Sequence, residues 1–143
     1  MYDYIIVGAG SAGCVMANRL SVDPACKVLL LEAGGEDSAP MIHIPATFIG
    51  LQDTPIDWGY RTVPQAHLNG RRIFSPRGRV LGGTSSINFM MYVRGNRLDF
   101  DHWRDLGNTG WGYDDVLPYF RRSEGNREFN NHYHGTGGPL TVR

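Results

Sequence analysis

The first 35 residues constrain the fold more than any other part of the chain. Residues 4–7 form a short apolar run that ends at a glycine, as expected of a strand buried on both faces. Residues 11–21 place apolar side chains at helical spacing, and Pro24 stops that helix. Residues 27–35, KVLLLEAGG, form a second apolar run. This order predicts a βαβ unit with two parallel strands.

The turn between the first strand and the helix reads GAGSAG over residues 8–13, a GxGxxG pattern. In this context Gly8 permits a tight turn, Gly10 lets a pyrophosphate approach the backbone, and Gly13 lets the helix pack closely. The N–H groups of the helix start then face the diphosphate. Glu32 ends the second strand, where a carboxylate can accept hydrogen bonds from ribose hydroxyls. The pattern predicts a dinucleotide site; the alternative is an ordinary glycine turn with a solvated Glu32.

Composition excludes several other classes of protein. With 143 residues, 41% of them hydrophobic, the chain is large enough for one core. Its 14 basic residues balance 14 acidic ones, which argues against a nucleic-acid partner. No apolar run reaches the ~20 residues of a transmembrane helix, and no leader-like segment opens the chain. Two cysteines, Cys14 and Cys26, make no disulfide framework, so we expect a cytoplasmic protein.

A second glycine-rich segment lies at residues 78–95, GRVLGGTSSINFMMYVRG. Gly82 and Gly83 can expose successive N–H groups to an anion, and the hydroxyls of residues 84–86 can bond phosphate oxygens or cap a helix. A glycine turn followed by a capped helix explains the same residues. The residues alone therefore do not decide between NAD and FAD.

The remaining elements are predicted from shorter patterns. A loop with one helical turn is expected at residues 40–49, and two short strands are expected around a polar turn. Helices are expected after the second glycine segment and in two later stretches. The predicted strands cover 57–63 and 71–76 around the turn 67–70, and the predicted helices start at 84–86 and cover 98–107 and 113–124.

Residues 78–101, GRVLGGTSSINFMMYVRGNRLDFD, closely resemble the signature segment of the glucose-methanol-choline (GMC) flavoprotein oxidoreductases. The resemblance includes the asparagine after the hydroxyl run and the spaced Gly95 and Asp101. It is greatest toward the alcohol dehydrogenase and choline dehydrogenase branch. Other stretches resemble the family in the same order, namely YDYIIVGAGSAGCVMANRLS, LLLEAGG, DWGYRTVPQ, GWGYDDVLPYFRRSE and HGTGGPLTV.

The resemblance implies an α/β fold: a Rossmann-like βαβ FAD-binding fold with short antiparallel strands and helical additions. A doubly wound sheet needs more strands than one βαβ unit supplies, so the sheet is expected to be incomplete, without its C-terminal strands. Residues 1–143 would be the N-terminal FAD-binding region of a larger GMC-type enzyme, with 137–143 opening the substrate domain. That enzyme would oxidise a primary alcohol by hydride transfer to flavin N5. No catalytic residue is assigned here, because the base would lie beyond this chain.

The resemblance also implies which residues bind FAD. The two glycine segments and Glu32 would hold the diphosphate and the adenosine ribose, and residues 88–91 would run beside the isoalloxazine ring. Ile87 occupies the position at which some members attach the flavin covalently through histidine, so non-covalent FAD is implied. The implied residues are Gly8, Gly10, Ser11, Gly13, Glu32, Ala33, Arg79, Gly82, Gly83, Ser85, Asn88, Phe89, Met90 and Met91.

Other polar and aromatic residues have simpler interpretations. Two histidines at 132 and 134 lack a third ligand at metal-binding spacing. The acidic residues and the histidine at 99–102 are expected at a helix start rather than in an acid-base group. The three tryptophans, Trp58, Trp103 and Trp111, are expected to pack in a core or between domains. Arg77 and Arg79 can neutralise phosphate or form surface salt bridges equally well.

Two further functions remain open from the sequence. The chain can be a non-catalytic nucleotide-binding module, or a fragment that needs a separate C-terminal piece. It can also belong to an NAD-dependent dehydrogenase, which the second glycine segment makes the weaker interpretation. The expected partners are a small alcohol and the C-terminal part of the same enzyme. The electron acceptor can be oxygen or a quinone, and a quinone would place the enzyme at a membrane surface.

Overall fold

The computed structural model describes residues 1–143 and contains two compact units, residues 1–91 and 92–143. None of its helices combines the length and the apolar character that crossing a membrane requires. The strands are β1 (Tyr4–Val7), β2 (Val28–Leu31), β3 (Tyr60–Arg61), β4 (Phe74–Ser75), β5 (Glu124–Asn126) and β6 (Leu140–Val142). The α-helices are α1 (Ser11–Leu20), α2 (Arg97–Asp105) and α3 (Tyr113–Ser123). Short 3₁₀ helices cover Pro40–His43, Pro45–Leu51, Ala66–Leu68 and Gly83–Ser86.

The predicted βαβ unit is confirmed in the first unit. β1 and β2 pair in parallel, with Tyr4 opposite Val28 and Val7 opposite Leu31, and α1 connects them. The prediction that β1 is buried on both faces is wrong for this chain. Ile6 is buried, whereas its neighbours Ile5 and Val7 are 62% and 84% exposed. Because side chains alternate along a strand, Ile6 lies on the face that α1 covers, and Ile5 and Val7 lie on the opposite face.

The helix α1 packs through small residues rather than through its largest apolar ones. Gly13 is buried and Ala17 is half-buried, whereas Val15 and Met16 are exposed. A Cβ placed on Gly13 would lie 3.3 Å from Cγ2 of Ile6, so the helix backbone runs close to β1. The apolar spacing predicted the helix correctly, but the face that meets the sheet is the one with small side chains.

The predicted strands at 57–63 and 71–76 are present but shorter. β3 and β4 pair antiparallel, with Tyr60 opposite Ser75 and Arg61 opposite Phe74. The expected turn between them contains Asn69, whose φ of 54° is left-handed. The helical turn expected at 40–49 and the helix start at 84–86 are 3₁₀ helices.

The core of the first unit lies beneath the second glycine segment. Leu51, Val80 and Ile87 are buried together, and Ile42 and Ile56 pack against them as half-buried neighbours. Val80 and Ile87 flank the glycine pair in sequence, so their burial fixes the turn between them. This core positions the residues that face the candidate site.

The second unit contains the two predicted α-helices and a small parallel sheet. Asn96 caps α2, because its side-chain oxygen accepts from the N–H of Leu98 at 2.9 Å. α3 continues through Pro118, which is exposed near its middle. β5 and β6 pair in parallel, with Glu124 opposite Leu140. Residues 137–143 thus pair within this unit, and their assignment to a substrate domain stays a prediction.

Candidate dinucleotide-binding site

Two of the three glycines in the GxGxxG turn are required by the fold itself. Gly8 has a left-handed φ of 93°, and its N–H donates to the carbonyl of Leu31 at 2.7 Å, which joins the turn to β2. A Cβ on Gly13 would overlap the carbonyl oxygen of Gly8. Gly10 differs from both. Its φ of −79° is available to any residue, and a Cβ placed there would meet no protein atom within 4 Å.

The start of α1 offers hydrogen-bond donors beside this open space. Cys14 is the first residue whose N–H donates along the helix, to the carbonyl of Gly10 at 2.9 Å. The preceding N–H groups have no intrahelical acceptor, and α1 has no side-chain cap. The helix dipole adds partial positive charge at the same end. An anion that approached over Gly10 would therefore find donors and no obstructing side chain.

Glu32 lies next to the same turn and is half-buried. Its Oε2 accepts from the N–H of Ala9 at 2.7 Å, and its Oε1 accepts from the N–H of Gly34 at 2.9 Å. An ionised carboxylate has about four acceptor positions. About two of them stay available to a ligand donor, such as a pair of ribose hydroxyls.

The second glycine pair does not present free N–H groups, which corrects the expectation from sequence. The N–H of Gly82 donates to the carbonyl of Ala9 at 2.8 Å, and that of Gly83 donates to the carbonyl of Val80 at 2.7 Å. The first bond joins the segment to the GxGxxG turn, and the second closes a turn within the segment itself. Gly83 has a φ of 58°, and a Cβ on it would lie 2.8 Å from the Cα of Gly10. The close contact between the two glycine segments is therefore sufficient to explain why residue 83 is glycine, without any ligand.

One pair of hydroxyl groups joins the two segments, and two other hydroxyl groups hold the turn of the second segment. The side-chain hydroxyls of Ser11 and Ser85 hydrogen bond to each other. Thr84 accepts from the N–H of Gly78 at 3.1 Å, and Ser86 donates to the carbonyl of Leu81 at 2.8 Å. The structure thus brings Ser11 and Ser85 together, and their contact with a cofactor stays a prediction.

A cavity of about 760 Å³ lies at this junction. Five of the predicted site residues line it, namely Gly8, Gly10, Glu32, Ala33 and Gly83. Arg77 and Thr84, whose side chains were considered as possible phosphate ligands, also line it, and so do Trp58 and Tyr60, which the sequence did not indicate. The remaining lining residues are Val7, Leu31 and Gly78. The volume is sufficient for part of a dinucleotide.

An aromatic pair forms one wall of this cavity. The rings of Trp58 and Tyr60 are stacked, with centroids 5.8 Å apart and an interplanar angle of 5°. Trp58 was expected to pack in a core or between domains; within this chain it lies outside the core, is 44% exposed and lines the cavity. No local pattern identifies this pair, because Trp58 lies outside β3 and Gly59 between the two rings has a left-handed φ of 62°.

A buried carboxylate holds this wall in place. Asp57 accepts from the N–H groups of Asp53 at 3.0 Å, Gly59 at 3.0 Å and Arg77 at 2.9 Å. Burial raises the pKa of Asp57, but the bonds from Gly59, Asp53 and Arg77 outweigh burial, so the pKa lies below its usual value. Asp57 therefore stays ionised and fixes the segments that carry Trp58 and Arg77.

The two arginines of this region have different positions. Arg77 lines the cavity and is exposed, so its guanidinium is available to an anionic ligand. Arg79, which was predicted to bind the cofactor, lies over the ring of Trp58 at 5.2 Å and does not line the cavity. Its contact with the ligand stays a prediction.

A smaller cavity of about 240 Å³ lies next to the end of the 3₁₀ helix Gly83–Ser86. Ser85, Asn88 and Met90 line it, whereas Gly83 and Thr84 line the larger cavity, so consecutive residues of one segment reach both. Asn88 accepts from the N–H of Met90 at 2.7 Å, which holds the backbone there. Two other predicted ring neighbours do not line the cavity: Phe89 packs edge-on against Phe48, with ring centroids 4.8 Å apart, and Met91 is exposed.

The polar residues noted in the second unit have structural partners. Asp99 lies in the first turn of α2, as expected, whereas Asp101 lies in the middle of α2 and accepts from Arg104 at 3.2 Å and from the N–H of Tyr113 at 3.1 Å. His134 lies 2.8 Å from Glu124 through its Nδ1. No group of three or more histidine, cysteine, aspartate or glutamate side chains is arranged to hold a metal ion.

The βαβ unit, the glycine turn and the acidic residue after β2 define a dinucleotide-binding fold. The sequence matches the GMC oxidoreductase family over residues 2–143, and the chain belongs to that family. It is 51% identical over 144 residues to an alcohol dehydrogenase [acceptor] of Pseudomonas putida. It is also 51% identical over 142 residues to an oxygen-dependent choline dehydrogenase of Sinorhizobium fredii. Each alignment covers 99% of this chain and 26% of the relative, so the chain spans about a quarter of these relatives.

Solved structures show the same relationship. Pyridoxine 4-oxidase from Mesorbium loti matches with a TM-score of 0.91 and 45% identity, over 99% of this chain and 28% of that chain. An FAD-dependent oxidoreductase from Chaetomium thermophilum matches with a TM-score of 0.85 and 35% identity, over 99% of this chain and 26% of that chain. The resemblance to the alcohol and choline dehydrogenase branch, and the α/β FAD-binding fold that it implied, are confirmed.

Proposed function

We propose that residues 1–91 bind FAD non-covalently, with the diphosphate over Gly10. The observation that carries this proposal is the open space at Gly10, which no protein atom fills and which adjoins the donors at the start of α1. Gly8 and Gly13 have internal reasons to be glycine, but Gly10 has none in the folded chain. A ligand that passes against the backbone supplies that reason.

The residues around the larger cavity fit the adenosine half of the cofactor. Glu32 keeps acceptor positions for the ribose hydroxyls, and its negative charge would disfavour a ribose that carries a 2′-phosphate. Trp58 and Tyr60 offer a flat aromatic surface to the adenine, and Arg77 offers a cation to the diphosphate. Ala33 lines the cavity beside Glu32.

The serine and glycine residues between the cavities support a path for the rest of the cofactor. Ser11 and Ser85 lie where the two glycine segments meet, so either hydroxyl can exchange its partner for a phosphate oxygen. Asn88 and Met90 line the smaller cavity, which we assign to the isoalloxazine ring. Ile87 is buried and carries no nucleophile, which supports non-covalent attachment.

The enzyme of which this chain forms the N-terminal part is proposed to oxidise a primary alcohol. FAD supplies the hydride acceptor, its N5 atom, for that reaction. This chain would bind and orient the cofactor, and the catalytic base would lie outside residues 1–143. The family and the names of these relatives support an oxidoreductase of this class. The names differ in the alcohol and the electron acceptor, and a quinone acceptor would place the enzyme at a membrane surface.

The proposal is tested on the protein expressed from its intact gene. We expect the purified protein to be yellow, to release its flavin on acid precipitation, and to lose its visible flavin absorbance when a primary alcohol is added without oxygen. Calorimetric titration with FAD and NAD on the stripped protein separates the alternatives. FAD binding without alcohol-dependent bleaching would indicate a binding module, and NAD binding without FAD binding would contradict the proposal.

A further inference from the structure

The carboxylate of Glu32 joins two loops that follow different strands. The Ala9 N–H belongs to the turn after β1, and the Gly34 N–H belongs to the loop after β2. The two bonds use different oxygens, at 2.7 Å and 2.9 Å. One side chain therefore fixes the spacing between the glycine turn and the neighbouring loop.

Ala9 extends this connection to the second glycine segment. It is fully buried, its N–H is bound by Glu32, and its carbonyl accepts from the N–H of Gly82 at 2.8 Å. The loop after β2 is also bound to the second glycine segment, because the carbonyl of Gly35 accepts from the N–H of Leu81 at 2.8 Å. Three separate backbone segments around the candidate site thus meet at one carboxylate and one alanine.

The charge of Glu32 has no cation beside it in the structure. No lysine, arginine or histidine lies within ion-pair distance of its carboxylate, so backbone N–H groups are its protein partners. Removal of the charge would leave the geometry of both loops to weaker contacts.

We propose that Glu32 is a positioning residue that holds the GxGxxG turn ready for the diphosphate before the cofactor binds. This inference rests on the proposed function, and it adds a role to the expected ribose contact. The Ala9 N–H is occupied by Glu32, so the donors left for a phosphate are those at the start of α1. Loss of the carboxylate would let the turn leave this conformation, and the apparent affinity would fall in proportion to the fraction that remains ready.

The test compares Glu32→Gln with Glu32→Asp, and uses Glu36→Gln as the matched control because Glu36 is exposed. Glutamine keeps the length of the side chain but has one acceptor oxygen, and aspartate keeps the charge but is one methylene shorter. Amide hydrogen exchange is measured on the cofactor-free protein at single-residue resolution. We expect exchange at Ala9, Gly34 and Gly82 to become about tenfold faster in both Glu32 variants. Amides within β1 and β2 should keep their protection.

A second measurement follows FAD binding by stopped-flow fluorescence in the same variants. We expect the association rate constant to fall about tenfold in Glu32→Gln and not in Glu36→Gln, because fewer molecules hold the turn ready. Unchanged exchange at Ala9, or an equal loss of protection throughout β1 and β2, would overturn the positioning role. The exchange measurement needs no cofactor. A protein that never binds FAD would therefore contradict the proposed function, but the amide exchange rates would still test the positioning role of Glu32.

Discussion

The two units of the chain use a partly or fully buried glutamate in opposite ways. Glu32, in the first unit, is half-buried beside a cavity and accepts two backbone N–H groups. Glu124, in the second unit, is fully buried and accepts hydrogen bonds from four groups. A carboxylate has about four acceptor positions. Glu124 has therefore used all of its positions within the protein, whereas Glu32 has kept about half of its own for a ligand.

The partners of Glu124 come from separate parts of the second unit. Asn126 and His134 donate to Oε1 at 2.8 Å each, the N–H of Gly135 donates to Oε2 at 3.2 Å, and Arg94 pairs with Oε2. Burial raises the pKa of Glu124, but the bonds from Asn126, His134 and Gly135, with the charge of Arg94, outweigh it and lower the pKa to about 2. A saturated carboxylate of this kind holds a fold together, and an unsaturated one is available for recognition.

The largest expected effect tests the structural half of this comparison. Glu124→Ala should lower the free energy of unfolding by about 3–5 kcal/mol, because it leaves the guanidinium of Arg94 buried without its counter-ion. Urea unfolding followed by circular dichroism measures the loss. The matched control is Glu128→Ala, since Glu128 is exposed in the same unit and should change stability by less than about 0.5 kcal/mol. Equal effects of the two substitutions would refute the assignment.

Acid should gradually remove the stabilisation that the ionised Glu124 carboxylate gives to the folded state. The folded-state pKa of Glu124 is lowered from its ordinary 4.5 to about 2, so the unfolded chain binds the proton more readily. Its contribution is present above pH 4.5 and is lost as the pH falls toward 2. We expect the stability difference between the wild type and Glu124→Gln to shrink by up to ~3 kcal/mol over this interval. A difference that is constant with pH would show that the carboxylate is not held ionised.

A smaller effect tests the recognition half. Trp58→Ala should weaken FAD binding about tenfold, because the adenine would lose an aromatic surface worth on the order of 1 kcal/mol. Trp103, in the second unit, is 45% exposed and thus matches the 44% exposure of Trp58. Trp103→Ala should leave FAD affinity unchanged in the same fluorescence titration. Equal losses in both variants would remove Trp58 from the site.

The sequence predicted the elements of the first unit well because their signals are local. A strand that ends at glycine, a helix with a proline stop and an acid at the second strand end are all set by neighbouring residues. The contact of Gly83 with Gly10 joins residues far apart in the chain, so the sequence alone attributed that glycine to a ligand. The spacing of residues along the sequence does not reveal which distant backbone segment packs against a given glycine.

The residues that the sequence missed depend on tertiary contacts. Glu124 follows a helix in a charged stretch, and nothing local indicates that it is fully buried with Arg94. Trp58 resembles any core aromatic until the cavity beside Glu32 is known. The apolar spacing of residues 11–21 predicted α1, but the side of the helix that packs on the sheet carries Gly13 and Ala17, whereas Val15 and Met16 are exposed.

The most direct test of the central claim measures FAD affinity and stability together in Gly10→Ala and Gly13→Ala. A methyl group at Gly10 meets no protein atom, whereas one at Gly13 overlaps the carbonyl oxygen of Gly8. We predict that Gly10→Ala lowers FAD affinity by at least about 100-fold while the cofactor-free protein keeps its free energy of unfolding to within about 1 kcal/mol. Gly13→Ala should instead destabilise the cofactor-free protein by about 3 kcal/mol. Wild-type FAD affinity in Gly10→Ala would contradict a diphosphate that lies over this residue.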